Sequence, residues 1–104
     1  SLDENLFYFD DEGNVLYTAC LRDDINTFEY LFNKYYVDIN QKSKNRGNTF
    51  LMKTTYYDNI EVFKYLINHG ADINIISDEG MTVYDYAVKN KSEKILEYLS
   101  KIDN

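Results

Sequence analysis

Apolar residues after Asn59 fall at Ile60, Val62, Phe63, Leu66 and Ile67, the spacing of one face of an α-helix. Asn59 is a capping residue type, and His69-Gly70 closes the run, with Gly70 suited to a left-handed C-terminal position. Just upstream, Thr49 is placed to cap a shorter helix that starts at Phe50 and runs to about Tyr57. Asp72-Ile73-Asn74 then leads to a turn at Asp78-Glu79-Gly80. The whole pattern returns from there. Thr49 recurs as Thr82, Arg46-Gly47 as Glu79-Gly80, and Val62-Phe63-Lys64-Tyr65-Leu66 as Ile95-Leu96-Glu97-Tyr98-Leu99, each 33 positions later. A fixed period of this size predicts stacked supersecondary units, each burying its apolar face against a neighbour.

An earlier copy fits with small insertions. Asn14-Val15-Leu16-Tyr17-Thr18-Ala19-Cys20 lies 35 positions before Thr49–Thr55, whereas Asp38-Ile39-Asn40 lies 34 before Asp72-Ile73-Asn74. One extra residue therefore belongs around Tyr35-Tyr36 and another near Gln41–Asn45, both in loops. Asn14, Thr49 and Thr82 are the predicted caps of the first helices, and Asp24, Asn59 and Ser92 those of the second. Small residues late in each first helix, Ala19-Cys20, Thr54-Thr55 and Ala87-Val88, permit close approach of neighbouring helices.

These residues resemble the ankyrin repeat family, whose pattern is D-x-x-G-x-T-P-L-H-x-A-A-x-x-G-H-x-x-V-V-x-x-L-L-x-x-G-A-D-V-N. The likeness covers about residues 10–104 and is a close match over Glu61–Asn74. It implies an all-α solenoid of stacked helix-turn-helix units with short β-hairpin connections. The implied division is one domain with an N-terminal hairpin remnant or cap at 1–13 and units at 14–43, 44–76 and 77–104. The motif proline is replaced by Val15, Phe50 and Val83, and the histidine by Tyr17, Met52 and Asp85. The first change removes a preorganised helical residue; the second is expected to remove a polar tie between units. In the first unit Glu12 takes the usual glycine place, with Gly13 one residue late, so an irregular leading turn is expected.

Terminal units need polar outer faces. Ser100 stands where Phe32 and Ile67 stand in the other units, beside Glu93, Lys94, Glu97 and Lys101, so the third unit reads as a C-terminal cap. Leu6-Phe7-Tyr8-Phe9 resembles the second arm of a hairpin and is a poor cap, so either it folds over the first unit or, as the favoured expectation, repeats lie upstream in a longer polypeptide.

Composition narrows the function classes. A net charge of −7 argues against a nucleic-acid module and against adsorption to an anionic membrane. One cysteine, Cys20, forms no internal disulfide, so a reducing compartment is expected, cytoplasmic or nuclear. No apolar run approaches the ~20 residues of a bilayer span, and no signal-peptide pattern is present. His69, the sole histidine, has no second His or Cys at ligand spacing and reads as a helix-end residue. Cys20 reads as a packed thiol without an activating base. Asp10-Asp11 and Asp78-Glu79 sit at turn tips without calcium-loop spacing, and no glycine-rich phosphate loop occurs. Catalysis, metal binding and a cofactor are not expected.

The resemblance instead implies recognition of a protein on a concave surface, built from hairpin tips and first-helix ends. Carried over by position, that surface holds Asn45, Arg46 and Asn48, then Asp78, Glu79 and Met81, from the tips. The first-helix ends supply Leu21 and Arg22, Tyr56 and Tyr57, and Lys89 and Asn90. Tyr56-Tyr57 is the sharpest candidate, because tyrosine anchors interfaces with large area and a polar tip. The basic tip Lys42–Arg46 between Asp10–Glu12 and Asp78-Glu79 would orient a partner of mixed charge. Family members also suggest hydroxylation at Asn40 and Asn74. Two other readings compete: an intramolecular regulatory domain of an enzyme or transport protein, and a spacer that self-associates through Leu6–Phe9.

Overall fold

The computed structural model describes residues 15–102, so the expectations for Leu6–Phe9, the tip Asp10–Glu12, Gly13 and the cap Asn14 lie outside the described residues. Three helical hairpins follow one another. They are α1 (Val15–Leu21) with α2 (Ile25–Lys34), α3 (Phe50–Thr54) with α4 (Ile60–Asn68), and α5 (Val83–Lys89) with α6 (Glu93–Ile102). First helices form one row, α1 on α3 and α3 on α5; second helices form another, α2 on α4 and α4 on α6. This is the stack that the period implied. Its core runs between the rows through Leu16, Tyr17, Phe28, Phe50, Phe63, Leu66, Ile95 and Leu99, all buried.

The helix starts follow the capping chemistry. Thr49 Oγ1 accepts from the Met52 amide while Met52 Sδ accepts from the Thr49 amide. Thr82 and Asp85 make the same reciprocal box on α5. Asp24 caps α2 through Thr27. The end of α3 tightens into a 3-10 turn over Thr55–Tyr57. There the hydroxyls of Thr54 and Thr55 donate to the carbonyls of Leu51 and Met52, at 2.6 and 2.7 Å.

Asn59 departs from its expected role: it makes no side-chain cap on α4. Its amide reaches back instead to the carbonyls of Cys20 and Leu21, at 2.7 and 2.8 Å, and satisfies the end of α1. The cap of α4 comes from the preceding unit, where Asp23 Oδ1 accepts from the Val62 amide at 2.9 Å. One unit later, Asp58 accepts from the amides of Lys94 and Ile95, at 2.9 and 3.0 Å, and Ser92 Oγ donates back to the Thr55 carbonyl. Asp23 and Asp58 both hold left-handed backbone, φ 52 and 55, which a short polar side chain tolerates better than most.

Tyr17 also corrects an expectation. Its hydroxyl donates to the Asn48 carbonyl at 3.0 Å, so the first two units keep a polar tie at the replaced motif histidine. Its ring continues an aromatic run through Phe50, Phe28 and Tyr65 to His69, which lies 4.0 Å from Tyr65 and bonds the Tyr65 carbonyl through Nδ1. His69 thus finishes α4, as its position suggested.

The connections are turns, and no β-strand occurs among the described residues. Each tip closes on itself, with Ser43 N to Asn48 O and Ser77 N to Met81 O, both 2.9 Å. Too few backbone pairs form on each arm to make a ladder. The first tip is one residue longer, where the sequence offset placed an insertion. Among the described residues, the bond from Asp78 N to Arg46 O at 3.0 Å joins neighbouring tips. On the outer side of the third hairpin Tyr84 and Val88 are exposed, although Leu51 and Thr55, their counterparts one period earlier, are buried. Exposed Glu93, Lys94, Glu97, Ser100 and Lys101 share that unit.

Two expectations follow. Gly47 and Gly80 both have positive φ, but a Cβ on Gly47 would also lie 2.4 Å from Asp78 Oδ1, whereas Gly80 faces open space. Gly80→Ala should cost about 1 kcal/mol, the left-handed penalty alone, and Gly47→Ala clearly more. Urea unfolding of both variants checks this; equal costs would mean that the tips do not press together. The Asp24 carboxyl is held below its ordinary 3.8, first by the Thr27 hydroxyl and then by the Thr27 amide. Because the folded value is depressed, the stabilisation is complete above the unfolded value and fades as pH falls through the folded one. Asp24→Asn, which keeps a capping oxygen but not the charge, should lower stability at neutral pH and flatten its decline in acid, as followed by thermal unfolding against pH.

Candidate functional site: a groove along the first-helix ends

The ends of the first helices and the turn tips face one another across a groove made of two adjoining clefts. One, about 400 Å³, is lined by Asn45 and Arg46 of the first tip, Asp78 and Glu79 of the second, Tyr56, Tyr86, Lys89 and Asn90. The other, about 290 Å³, is lined by Leu21, Arg46, Lys53, Tyr56 and Tyr57. Arg46 and Tyr56 line both, so the clefts share a wall in the middle unit. Tyr57 is 73% exposed, while Tyr56 is half-buried with the Lys53 ammonium 5.1 Å from its ring centroid.

Nine of the twelve positions carried over by alignment line these clefts: Leu21, Asn45, Arg46, Tyr56, Tyr57, Asp78, Glu79, Lys89 and Asn90. Arg22 is exposed just past α1 and lines neither. Met81 is half-buried and packs against the core, because its carbonyl closes the second tip. Asn48 is 2% exposed and does not face the groove. Its amide donates to Ser43 Oγ and its carbonyl accepts from both Tyr17 and the Ser43 amide, which turns the residue inward.

Two groove residues were missed by the carry-over. Lys53 is 3% exposed, an unusual burial for a lysine. Tyr86 sits one period after Lys53, and its hydroxyl donates to Glu79 Oε1 at 2.9 Å and bonds Ser77 Oγ at 2.8 Å. Burial, then the neighbouring Glu79, raises the Tyr86 pKa, partly offset by Ser77, so the phenol keeps its proton and tethers the tip. Spacing could have found both: Lys53 lies three residues before Tyr56 on one helix face.

The remaining reactive groups sit elsewhere. Cys20 is fully buried, and burial, followed by Asp23, pushes its thiol well above 9.0 despite Lys53. Among the described residues no group of three His, Cys, Asp or Glu side chains is gathered to hold a metal ion. No helix among them is long and apolar enough to cross a membrane.

A sequence profile described as "Ankyrin repeats (3 copies)" matches residues 16–104. The chain is 33% identical over 75 residues to the rat protein named Ankyrin repeat and SAM domain-containing protein 6, covering 72% of this chain and 8% of that one. It is 36% identical over 84 residues to Alpha-latrotoxin-Lg1a of Latrodectus geometricus, covering 79% of this chain and 6% of the toxin. The chain therefore spans less than a tenth of the length of these relatives. A chain in the solved complex of the Bd0816 predatory endopeptidase from Bdellovibrio bacteriovorus with immunity protein Bd3460 superposes with TM-score 0.77 and 26% identity. That match covers 83% of this chain and 44% of the other.

The Tyr86 tether gives a testable consequence. Tyr86→Phe should cost about 1 kcal/mol in unfolding free energy and speed hydrogen exchange at Glu79 and Gly80. Unchanged exchange at those amides would show that the tip is held without the phenol.

Proposed function

Because the chain belongs to the ankyrin repeat family, we propose that it is a non-catalytic interaction module whose partner protein docks along the Arg46–Tyr56–Tyr57 groove. Ankyrin repeats are in general protein-interaction modules, and this groove is the place where the chain's own chemistry supports that role. One observation carries the reading: Tyr57 stands 73% exposed beside a cleft already formed by packed elements. A large aromatic at the edge of a formed cleft offers extensive area to a partner, and such residues dominate interface energetics. Cys20 is fully buried with its thiol pushed up, and His69 is stacked on Tyr65 at the end of α4, so neither supports catalysis. An unpaired, buried cysteine fits a reducing intracellular compartment.

A second reading rests on length. The chain covers 8% and 6% of two relatives, so the docking partner could be another part of the same, longer polypeptide. The groove would then position or cover a neighbouring domain, with the same residues in contact.

Random-peptide phage display against the folded chain tests the groove. Selected peptides should lose at least about tenfold in affinity for the Tyr56→Ala, Tyr57→Ala double variant, equivalent to ~1.4 kcal/mol. Circular dichroism confirms that this variant stays folded. Peptides that bind both proteins equally would place recognition outside the groove.

A further inference from the structure

The outer side of the third hairpin is built like a face that another element covers. Tyr84 and Val88 of α5 are 57% and 50% exposed and, with Leu96, Leu99 and Ser100 of α6, line a cleft of about 240 Å³. One period earlier the same positions form the contact between hairpins. There Leu51 and Thr55 are buried, and Phe63, the counterpart of Leu96, lies edge-on to Tyr98 of the next unit. What differs at the outer face is the clamp. Asp23 and Asp58 hold left-handed backbone just past each first-helix segment and accept from the first amides of the next second helix. In the third hairpin that place belongs to Lys91, exposed and with the same backbone, φ 57. An ammonium donates but accepts nothing, and it opposes the positive end of a helix. Val88, in turn, stands where the Thr55 hydroxyl accepts from Asn90.

We infer that this end of the stack docks an α-helix of a partner protein that runs opposite to the stack's own second helices. Its apolar stripe lies on Tyr84, Val88 and Leu96, and its last turn meets Lys91. This is a second surface, apart from the Tyr56–Tyr57 groove. A helix in that direction brings unpaired carbonyls and the negative end of its dipole to the ammonium. A further hairpin of the same kind would bring amides there, to a residue that has no acceptor for them. Charge around the site favours the same partner. Residues 89–94 carry Lys89, Lys91 and Lys94 against Glu93, in a chain of net charge −7. Asp58, which reaches in from the preceding unit, is bonded to the Lys94 and Ile95 amides. An acidic last turn on the incoming helix is therefore the complement of this end face.

The test pans a phage library of helical peptides on the intact chain, in competition with soluble Val88→Glu variant, so that only binders of this face survive. Tyr84→Ser takes the place of that variant if circular dichroism shows Val88→Glu unfolded. Binders should carry an apolar stripe and Asp or Glu in their last turn. Resynthesised with Asn or Gln at those places, they should bind about threefold more weakly, the scale of a charge at a helix end. Lys91→Asn, whose side chain tolerates left-handed backbone, should remove that difference between the two members. The Tyr56→Ala, Tyr57→Ala variant should bind both as the unaltered chain does, which separates this face from the groove. A library that yields no binder sensitive to Val88 or Tyr84 overturns the inference. Acidic residues gathered in the first turn, or an acidic preference that persists on Lys91→Asn, overturn the helix direction and with it the inference. A mass that rises with concentration in sedimentation, and stays monomeric in Val88→Glu, would also overturn it, in favour of a second copy of the chain as the occupant.

Discussion

Each hairpin in this chain completes the helix ends of its neighbour, and that exchange of hydrogen bonds is what turns three short units into one structure. The first-helix ends are Leu21, Tyr57 and Lys89, and helices of five to seven residues have little stability of their own. Their last carbonyls need partners. Asn59 supplies two for α1, and Ser92 supplies one at the end of the α3 segment. In the other direction Asp23 and Asp58 reach forward to the first amides of α4 and α6. Asn90 adds a bond to Thr55 Oγ1 at 3.0 Å. A unit standing alone would leave these groups unpaired. Apolar burial then follows the same register, with Phe28 edge-on to Tyr65 and Phe63 edge-on to Tyr98 across successive second helices.

The groove inherits its order from this exchange. Leu21 and Tyr57 lie within two residues of Asp23 and Asp58, and Asn90 is itself a donor in the network. The tips opposite are fixed separately, by the Tyr86–Glu79–Ser77 bonds and by the bond from the Asp78 amide to the Arg46 carbonyl. One wall is therefore set by the clamps between units and the other by the closure of the turns. Both are formed before anything docks, which suits recognition without large rearrangement.

Much of the fold was legible in the residues. The period, the caps at Asp24, Thr49 and Thr82, the closing Gly70 and the place of the extra tip residue are local patterns. Local patterns are what a sequence displays directly. The clamps were not legible, because Asp23 and Asp58 act on amides 36 to 39 positions away and hold left-handed backbone that nothing nearby announces. Asn59 looked like an ordinary cap for the same reason. In the groove, position in the repeat located the first-helix ends and tips but treated Asn48 as a surface residue. Its inward turn depends on Tyr17, 31 positions earlier. Lys53 was passed over because a lysine is ordinarily a solvated residue, whereas here it is buried in the cleft wall with its ammonium over the Tyr56 ring.

The clamp account is tested most directly by hydrogen exchange on Asp58→Gly. Glycine relaxes the left-handed backbone at that position and removes only the carboxylate, so the backbone change alone favours the folded state. The account predicts that the Lys94 and Ile95 amides lose protection and that α5 and α6 open together at lower free energy than α1 and α3. Protection equal to or greater than that of the unaltered chain throughout α6 would contradict it.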